Sequence, residues 1–180
     1  MKISFPDIKP RSRPSHKSVI DSNRIDPNWI AGLASGDGCF HISIRNSPRA
    51  KLGKSVVLKF HIVQHSRDIE LIKLLISTIG CGKIELMLEQ SAVYFVVTNF
   101  KDITEKIIPF FEKYPVVGSK YFNYLNFKSA ANIIKNKEHL NKDGKGLKQI
   151  LQLKNGISLI NTDNAINNHK DETGKEEIRS

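Results

Sequence analysis

The sequence predicts an α+β domain in which helices cover one face of a single four-stranded antiparallel sheet. Apolar residues make up 39% of the 180 residues, which is enough to fill a core at this length. Two pairs of segments alternate apolar and polar residues, as half-buried strands do, and a loop joins the members of each pair. Segments with helical spacing of apolar residues precede, separate and follow these pairs. The predicted element order is therefore α-β-β-α-β-β-α-α-α.

The first helix is predicted to begin at Asp26-Pro27, because aspartate is a good N-cap and proline suits the first helical position. It is expected to end at the Gly-Asp-Gly segment of residues 36–38. The first strand then covers residues 40–45, and the second covers residues 56–64. A basic hairpin loop joins these two strands.

A second helix separates the first strand pair from the next one. Apolar residues share one face over residues 68–79, and Gly80 is a suitable stop for that helix. Strand-like runs follow at residues 82–88 and 92–98. Three more helices are predicted, at residues 100–113, 119–136 and 144–155.

These elements place one domain at residues 27–158. Residues 1–26 are rich in proline, serine, lysine and arginine and have no apolar periodicity. We interpret them as an extended, linker-like leader, with a docking arm and a frayed terminus as the alternatives. Residues 159–180 are polar and have little to bury, so a disordered tail is predicted there.

The charge balance favours a polyanionic partner. Lysine and arginine together number 28 and the acids number 18, which gives a formal net charge of +10. Residues 41–61 contain five cationic side chains and no acid, and residues 135–154 contain six lysines against two acids. Nucleic acid is the usual partner of such a protein, and an anionic membrane surface is the alternative.

The sequence disfavours several other classes of protein. No run approaches the roughly 20 apolar residues that span a bilayer, so no membrane-spanning segment is expected. We predict nucleic acid, and no membrane, as the partner. The N-terminal residues lack the apolar run of a signal peptide. Cys39 and Cys81 have no metal-ligand spacing and suggest a reducing, intracellular compartment. His61 and His65 lie near a predicted strand end, which disfavours a zinc site.

The predicted sheet has one apolar face under the helices and one open, polar face. The residues predicted on the open face are His41, Ser43, Arg45, Lys59, His61, Lys83 and Glu85. The cations predicted in and beside the hairpin loop are Arg49, Lys51 and Lys54. A polar face is ordinary for a solvated antiparallel sheet. The absence of acids over residues 41–61 nevertheless favours a saddle for duplex DNA, because a two-stranded ribbon fits the major groove. We therefore predict that these residues contact DNA.

Asp37 is the residue with the clearest candidate chemistry. Gly36 and Gly38 flank it, so the backbone can turn tightly and the carboxylate is left unobstructed. A carboxylate beside a cationic surface would repel phosphate unless a divalent cation lay between them. Mg²⁺ takes few protein ligands and serves phosphodiester displacement. The alternative interpretation is a solvated turn aspartate.

The segment of residues 30–38, IAGLASGDG, resembles the signature of the LAGLIDADG homing endonucleases. Supporting segments occur in the family's order at residues 58–64, 79–82, 95–98 and 107–111. The resemblance covers roughly residues 26–155. It implies the family's αββαββα core with a saddle-shaped sheet, and site-specific, magnesium-dependent hydrolysis of double-stranded DNA.

The resemblance also implies roles for individual residues. The metal ligands of the family fall on the carboxylate of Asp37 and on the backbone carbonyl of Gly36. The polar residue that positions water in the family resembles Gln64. The family's lysine near the active site resembles Lys120, with Lys113 as the alternative.

One motif supplies one acid, whereas cutting both strands of a duplex needs two attack sites. The family packs two motif helices at a two-fold or pseudo-two-fold axis, and small residues on this helix would allow such a close approach. The predicted interface residues are Ile30, Ala31, Gly32, Leu33, Ser35 and Gly36. Ser35 replaces the first acid of the motif, at a position that mostly caps and packs in the family. The chain is expected to form a homodimer or to be the C-terminal half of a two-motif enzyme whose N-terminal LAGLIDADG half is separate, and the leader favours the second.

Two other functions remain open on the same fold. One is an RNA-binding maturase that acts on intron RNA, since a basic surface serves RNA equally. The other is an inactive half-enzyme that only binds nucleic acid. The resemblance further implies an intron-encoded protein and a mitochondrial location, because such genes are common in fungal mitochondria.

Overall fold

The computed structural model describes residues 25–157 of the chain. Its helices are α1 (Pro27–Asp37), α2 (Ile69–Ile79), α3 (Phe100–Asp102), α4 (Ile108–Lys113), α5 (Ser119–Lys135) and α6 (residues 145–157). Its strands are β1 (Gly38–Asn46), β2 (Lys54–His65), β3 (Lys83–Met87) and β4 (Ala92–Val97). The predicted order of helices and strands is confirmed. The predicted leader, apart from its last two residues, and the predicted tail lie outside the described residues.

The four strands form one antiparallel sheet in the order β1-β2-β4-β3, which confirms the predicted α+β class. β1 pairs with β2 along its whole length, from Gly38 opposite Ile62 to Asn46 opposite Lys54. β2 pairs with β4, and β4 pairs with β3. Because side chains alternate along a strand, this register assigns every second residue to an open face and the others to a core face.

The start of α1 follows the predicted capping. The Asn28 backbone N–H donates to Asp26 Oδ1 at 2.8 Å, and Pro27 occupies the first turn. At the other end, α1 passes into β1 without a loop, and the Gly38 N–H donates to the carbonyl of Ala34. A Cβ on Gly38 would collide with the backbone of Ala34, so this corner requires glycine. The corner fixes Asp37 at the junction between the helix and the sheet.

The helix predicted over residues 100–113 is interrupted in the structure. A π-helical stretch, Ile103–Ile107, lies between α3 and α4, and the Ile108 N–H donates to the carbonyl of Ile103. Pro109 explains the interruption, because proline has no N–H to donate and its ring crowds the preceding turn. The wider turn relieves that crowding.

Aromatic side chains form the centre of the core between the sheet and the helices. The ring of Phe40 lies 4.9 Å from that of Phe60, measured between centroids. It also lies within about 5.5 Å of the rings of Phe111, Tyr124 and Phe127. Phe40 is the third residue of β1, and Tyr124 lies in the second turn of α5. The packing therefore holds the beginning of α5 beside the beginning of β1.

No helix within residues 25–157 combines the length and the apolar content needed to cross a membrane.

Candidate nucleic acid interface and metal site

Asp37 lies exposed at the last position of α1, where the helix meets the sheet. Gln64 lies near the end of β2, two residues beyond the residue that pairs with Gly38. Its Nε2 donates a hydrogen bond to Asp37 Oδ2 at 2.6 Å. The two residues proposed from the family resemblance to bind metal and to position water are therefore in direct contact. This bond fixes the orientation of the carboxylate.

The surroundings of Asp37 suit a divalent cation. The C-terminal end of α1 carries the negative end of the helix dipole, and its last carbonyls, including that of Gly36, lack partners within the helix. An oxygen-rich, negative helix end with one carboxylate matches the few protein ligands that Mg²⁺ takes. Among residues 25–157, no group of three or more His, Cys, Asp or Glu side chains could hold a metal ion. Within the described residues, Asp37 is therefore a single carboxylate and not a member of such a cluster.

Ser35 connects α1 to the segment that leads into α5. Its Oγ donates to the carbonyl of Ala31 at 2.7 Å and accepts a hydrogen bond from the Val117 N–H at 3.0 Å. The two bonds use both the donor and an acceptor of one hydroxyl. They hold the start of α5 against the end of α1. The sequence pattern gave no signal for this contact, because 82 residues separate its partners.

Lys120 lies in the first turn of α5, close to the strand that follows Asp37. Burial raises the pKa of the Cys39 thiol, and the positive charge of Lys120 opposes that rise, as does that of Lys59. Cys39 is the second residue of β1 and follows Asp37 by two positions, so the charge of Lys120 acts on the strand that begins at this corner. The alternative lysine, Lys113, lies at the end of α4 with its Nζ 5.2 Å from the centre of the Tyr114 ring.

The open face of the sheet carries the polar residues predicted for it. The register places His41 opposite Lys59, with Ser43 and Arg45 following on the same face of β1. His61 and Lys83 are both paired with Val96 of β4. Because residues directly opposite each other share a face of the sheet, His61 and Lys83 lie on the same face. Glu85 lies on β3 beside Lys83, and the Lys83 Nζ is 2.8 Å from Glu85 Oε1. The hydrogen bond from Lys83 lowers the pKa of Glu85, so this acid is ionised and already paired with a cation.

His61 is uncharged at neutral pH. Its pKa falls to about 4, first because of burial and then because of the nearby charges of Lys59, His41 and Lys120, with Glu85 acting in the opposite direction. Its ring lies 5.9 Å from that of Tyr94. Its buried Nδ1 has no hydrogen-bond partner among the described residues. The imidazole therefore presents a neutral, partly apolar surface in the middle of a cationic face.

The β1–β2 loop extends the cationic surface beyond the sheet. The loop is closed by a hydrogen bond of 2.8 Å from the Ser47 N–H to the carbonyl of Gly53. Arg49 and Lys51 are exposed on the loop, and Lys54 is exposed at the start of β2. These cations lie at the end of the ribbon that is farthest from Asp37.

The surface of α1 that is open to a partner differs at two positions from the interface predicted from the sequence. We call the exposed residues Gly32 and Gly36, with the partly exposed Leu33 and Ser35, the exposed stripe of α1. Ile30 and Ala31 are 0% and 5% exposed and pack into the domain's own core, because the helical repeat turns them inward with Ala34. They are therefore not available to a partner. Gly32 and Gly36 face outward, and an added Cβ at either would meet no atom within 4 Å.

Large apolar side chains border this stripe. Trp29 is 48% exposed, and Leu33 is partly exposed. Near the Ser35 contact, Val117 and Phe122 are 66% and 58% exposed, and Tyr121 is also exposed. The sequence predicted the stripe on α1 but not the exposed side chains around the start of α5.

Comparison with known proteins identifies relatives over most of the chain. A family model described as LAGLIDADG endonuclease matches residues 30–131. The protein named "Probable intron-encoded endonuclease 2" of Neurospora crassa is 42% identical over 164 residues, which are 87% of this chain and 34% of that protein. DNA endonuclease I-CeuI of Chlamydomonas moewusii is 27% identical over 62% of this chain and 53% of its own length.

Solved structures of I-SmaMI share the fold. I-SmaMI bound to an uncleaved DNA target in the presence of calcium ions is 42% identical and superposes with a TM-score of 0.77. The match covers 87% of this chain and 52% of that one. I-SmaMI bound to cleaved DNA, described as a LAGLIDADG homing endonuclease, superposes with a TM-score of 0.76. The chain thus spans about a third of the Neurospora relative and about half of I-SmaMI.

Proposed function

The chain belongs to the LAGLIDADG endonuclease family, and we propose that it is one motif-bearing half of a site-specific double-stranded DNA endonuclease. One observation carries this proposal. The exposed Asp37 carboxylate is held by Gln64 where the motif helix meets a sheet whose open face is cationic. A carboxylate in that place can hold a divalent cation at a phosphodiester, which binding of the DNA backbone alone would not require.

DNA would lie along the open face of the sheet. The ribbon of β1 and β2 fits a major groove, and the cations of the hairpin loop would contact the backbone. His41, Ser43, Arg45, Lys59, His61, Lys83 and Glu85 are the candidate contacts on the sheet. Since I-SmaMI is solved on both cleaved and uncleaved DNA, DNA is favoured over an intron RNA as the ligand of this face.

The catalytic roles follow from the contacts at the corner of α1 and β1. The Asp37 carboxylate and the Gly36 carbonyl would hold a divalent cation, for which we propose Mg²⁺. When bound, that ion would stabilise negative charge on the phosphate and lower the pKa of a water ligand. Gln64 orients the carboxylate and offers its remaining polar atoms to water. Lys120 brings positive charge to the same corner, where charge develops during hydrolysis.

A second motif-bearing domain completes the proposed enzyme. Glycine within a helix costs roughly 1 kcal/mol relative to alanine, yet neither Gly32 nor Gly36 is required by contacts among residues 25–157. Close approach of another helix would explain both glycines. The chain spans about half of I-SmaMI, so the remainder of that relative is long enough to hold a second domain of this size.

The proposal is tested with a chimera in which residues 25–157 replace the matching half of I-SmaMI. The substrate is a library of DNA duplexes in which the half-site that faces the new domain is randomised. We expect the chimera to cleave some of these sequences, and we expect cleavage to require a divalent cation. Structured RNA should compete more weakly than duplex DNA. Tight binding without cleavage of any sequence would support the inactive half-enzyme instead.

Replacing Gly32 with leucine should impair the pairing of α1 with a second domain without impairing the folding of the isolated chain. In the isolated chain, Gly32→Leu should raise the free energy of unfolding by roughly 0.5–1 kcal/mol, since leucine is the better helix former and the space is open. In the chimera the same change should lower the melting temperature and the cleavage rate. The measurements are thermal unfolding and cleavage. Ser77→Leu on the exposed side of α2 is the control, and equal behaviour of the two variants would contradict pairing through α1.

We further propose that the protein is intron-encoded and mitochondrial. Relatives are named for a cox1 intron of Schizosaccharomyces pombe and for an ND4 intron of Podospora anserina. They are 27% and 32% identical over 79% and 66% of this chain. Organelle fractionation of the source cells, followed by detection of the protein, would test this location.

A further inference from the structure

The start of α5 and the turn before it expose a group of large apolar side chains. Val117 and Phe122 are each more than half exposed, and Tyr121 and Leu125 are exposed as well. The ring centroids of Tyr121 and Phe122 lie 6.2 Å apart in an edge-to-face arrangement, so the two rings already pack as a pair. Lys120 is the only charged residue between Val117 and Leu125. We call Val117, Tyr121, Phe122 and Leu125 the α5 patch, and contiguous exposed apolar patches of this kind mark interaction sites.

The α5 patch adjoins the exposed stripe of α1. Helices α1 and α5 are in contact, and the Val117 N–H donates to Ser35 Oγ at 3.0 Å. Trp29 precedes Gly32 by three residues and Gly36 by seven, so the helical repeat places it on the same side of α1. An exposed indole therefore lies at the N-terminal end of the stripe, and the α5 patch lies at its C-terminal end.

The exposed stripe of α1 is too small to hold a second domain by itself. Helix α1 has 11 residues, which makes it about 16 Å long, and a helix is about 10 Å wide. One side of such a helix offers roughly a few hundred square ångströms, and the glycines of the stripe add little to it. Stable protein pairs bury about 800 Å² on each partner. The α5 patch supplies adjoining surface, and Trp29 and Tyr121 are of the residue types that contribute most to binding at interfaces.

We propose that the α5 patch packs on the same motif-bearing half that covers the exposed stripe of α1, so that the two together form one pairing surface. The inference rests on the proposed function, which supplies that second half. A separate half is favoured over a second copy of this chain, because I-SmaMI is about twice as long as the part of it that this chain matches. The matching surface should be apolar and poor in charge, since charged residues are depleted at the centre of interfaces.

Alkylation of a cysteine in the α5 patch tests whether a partner covers it. Val117→Cys keeps a side chain of similar size, and its reaction is followed in the full chain and in the chimera described above. We expect alkylation to be about tenfold slower or more in the chimera, since a site covered about nine-tenths of the time reacts only in the remaining tenth. Leu151→Cys, at an exposed apolar position on α6, is the control and should react equally fast in both proteins. Burial raises the pKa of both native thiols, so they react slowly, and the unmodified proteins give the background.

Phe122→Ser tests whether the contact stabilises the pair. In the full chain the melting temperature should change little, because Phe122 is mostly exposed there. In the chimera the melting temperature should fall by roughly 3 °C or more, and the cleavage rate should fall with it. Leu151→Ser removes an exposed apolar side chain outside the α5 patch and should affect the two proteins equally.

The outcomes separate this inference from the function on which it rests. Equal alkylation of Val117→Cys in the full chain and in an active chimera would overturn the inference and leave the endonuclease proposal standing, and so would equal effects of Phe122→Ser in the two proteins. Alkylation of the full chain that slows as its concentration rises would overturn the choice of a separate half and assign the patch to a second copy of the chain. A chimera in which the patch is protected but no duplex is cleaved would support the contact and overturn the nuclease function.

Discussion

Replacing Asp37 with asparagine should abolish DNA cleavage while sparing DNA binding. The change keeps the size of the side chain but removes the Asp37 carboxylate, the proposed ligand of a divalent cation at the corner of α1 and β1. Loss of groups that merely support a metal ligand already costs roughly 10–100-fold in activity, so loss of the ligand should cost more than about 100-fold. Binding should be equal or tighter, because a negative charge beside the phosphates is gone. Cleavage of the selected target by the chimera and anisotropy of the same duplex are the two measurements.

Asp68→Asn is the matched control for this substitution. It removes one negative charge from the same domain, but Asp68 is the N-cap residue of α2, with its Oδ2 3.7 Å from Arg67 Nε. Cleavage should be unaffected. Parallel loss of binding and cleavage in Asp37→Asn would instead give the carboxylate a structural role, and full activity would exclude it from catalysis.

The fold could be predicted from the sequence because its local signals agree. Asp26 and Pro27 mark the start of α1, Gly80 ends α2 in the left-handed conformation, and period-two alternation marks the strands. The meeting of Asp37 with Gln64 could be anticipated only from the resemblance. Periodicity assigns a residue to a face, but it does not say which strand ends lie side by side.

The contacts that were missed join residues far apart in sequence. Lys154 belongs to a basic run that the sequence identified, but the effect of its charge on the pKa of His41 could not be predicted, because the two residues are far apart in sequence. The bond between Ser35 and Val117 likewise depends on where α5 begins. Ile30 and Ala31 show a different error. The motif predicted that α1 pairs with another helix, but it did not show which residues of α1 face the domain's own core. In the folded domain Ile30 and Ala31 are buried there.

Replacing Lys120 with methionine should reduce cleavage by about 100-fold with little effect on DNA affinity. A positive group aimed at developing charge is typically worth 10²–10³ in rate, and methionine keeps the length and apolar stem of lysine without its charge. Lys113→Met is the matched control, because Lys113 is the alternative lysine and lies at the end of α4, with its Nζ over the Tyr114 ring. The chimera's cleavage rate at saturating enzyme, compared with its affinity for the duplex, separates the chemical step from binding.

A second readout tests the position of Lys120 without DNA or metal. The charge of Lys120 lowers the pKa of two groups near Asp37, the Cys39 thiol and the His61 imidazole. Lys120→Met should therefore raise both pKa values, which slows alkylation of Cys39 at mildly alkaline pH and moves the NMR titration of His61 upward. Cys81 is buried with a pKa of about 11, so it should contribute little to the alkylation signal. If Lys113→Met instead produced these shifts and the loss of cleavage, the lysine at the catalytic corner would be Lys113, and the assignment of Lys120 would be wrong.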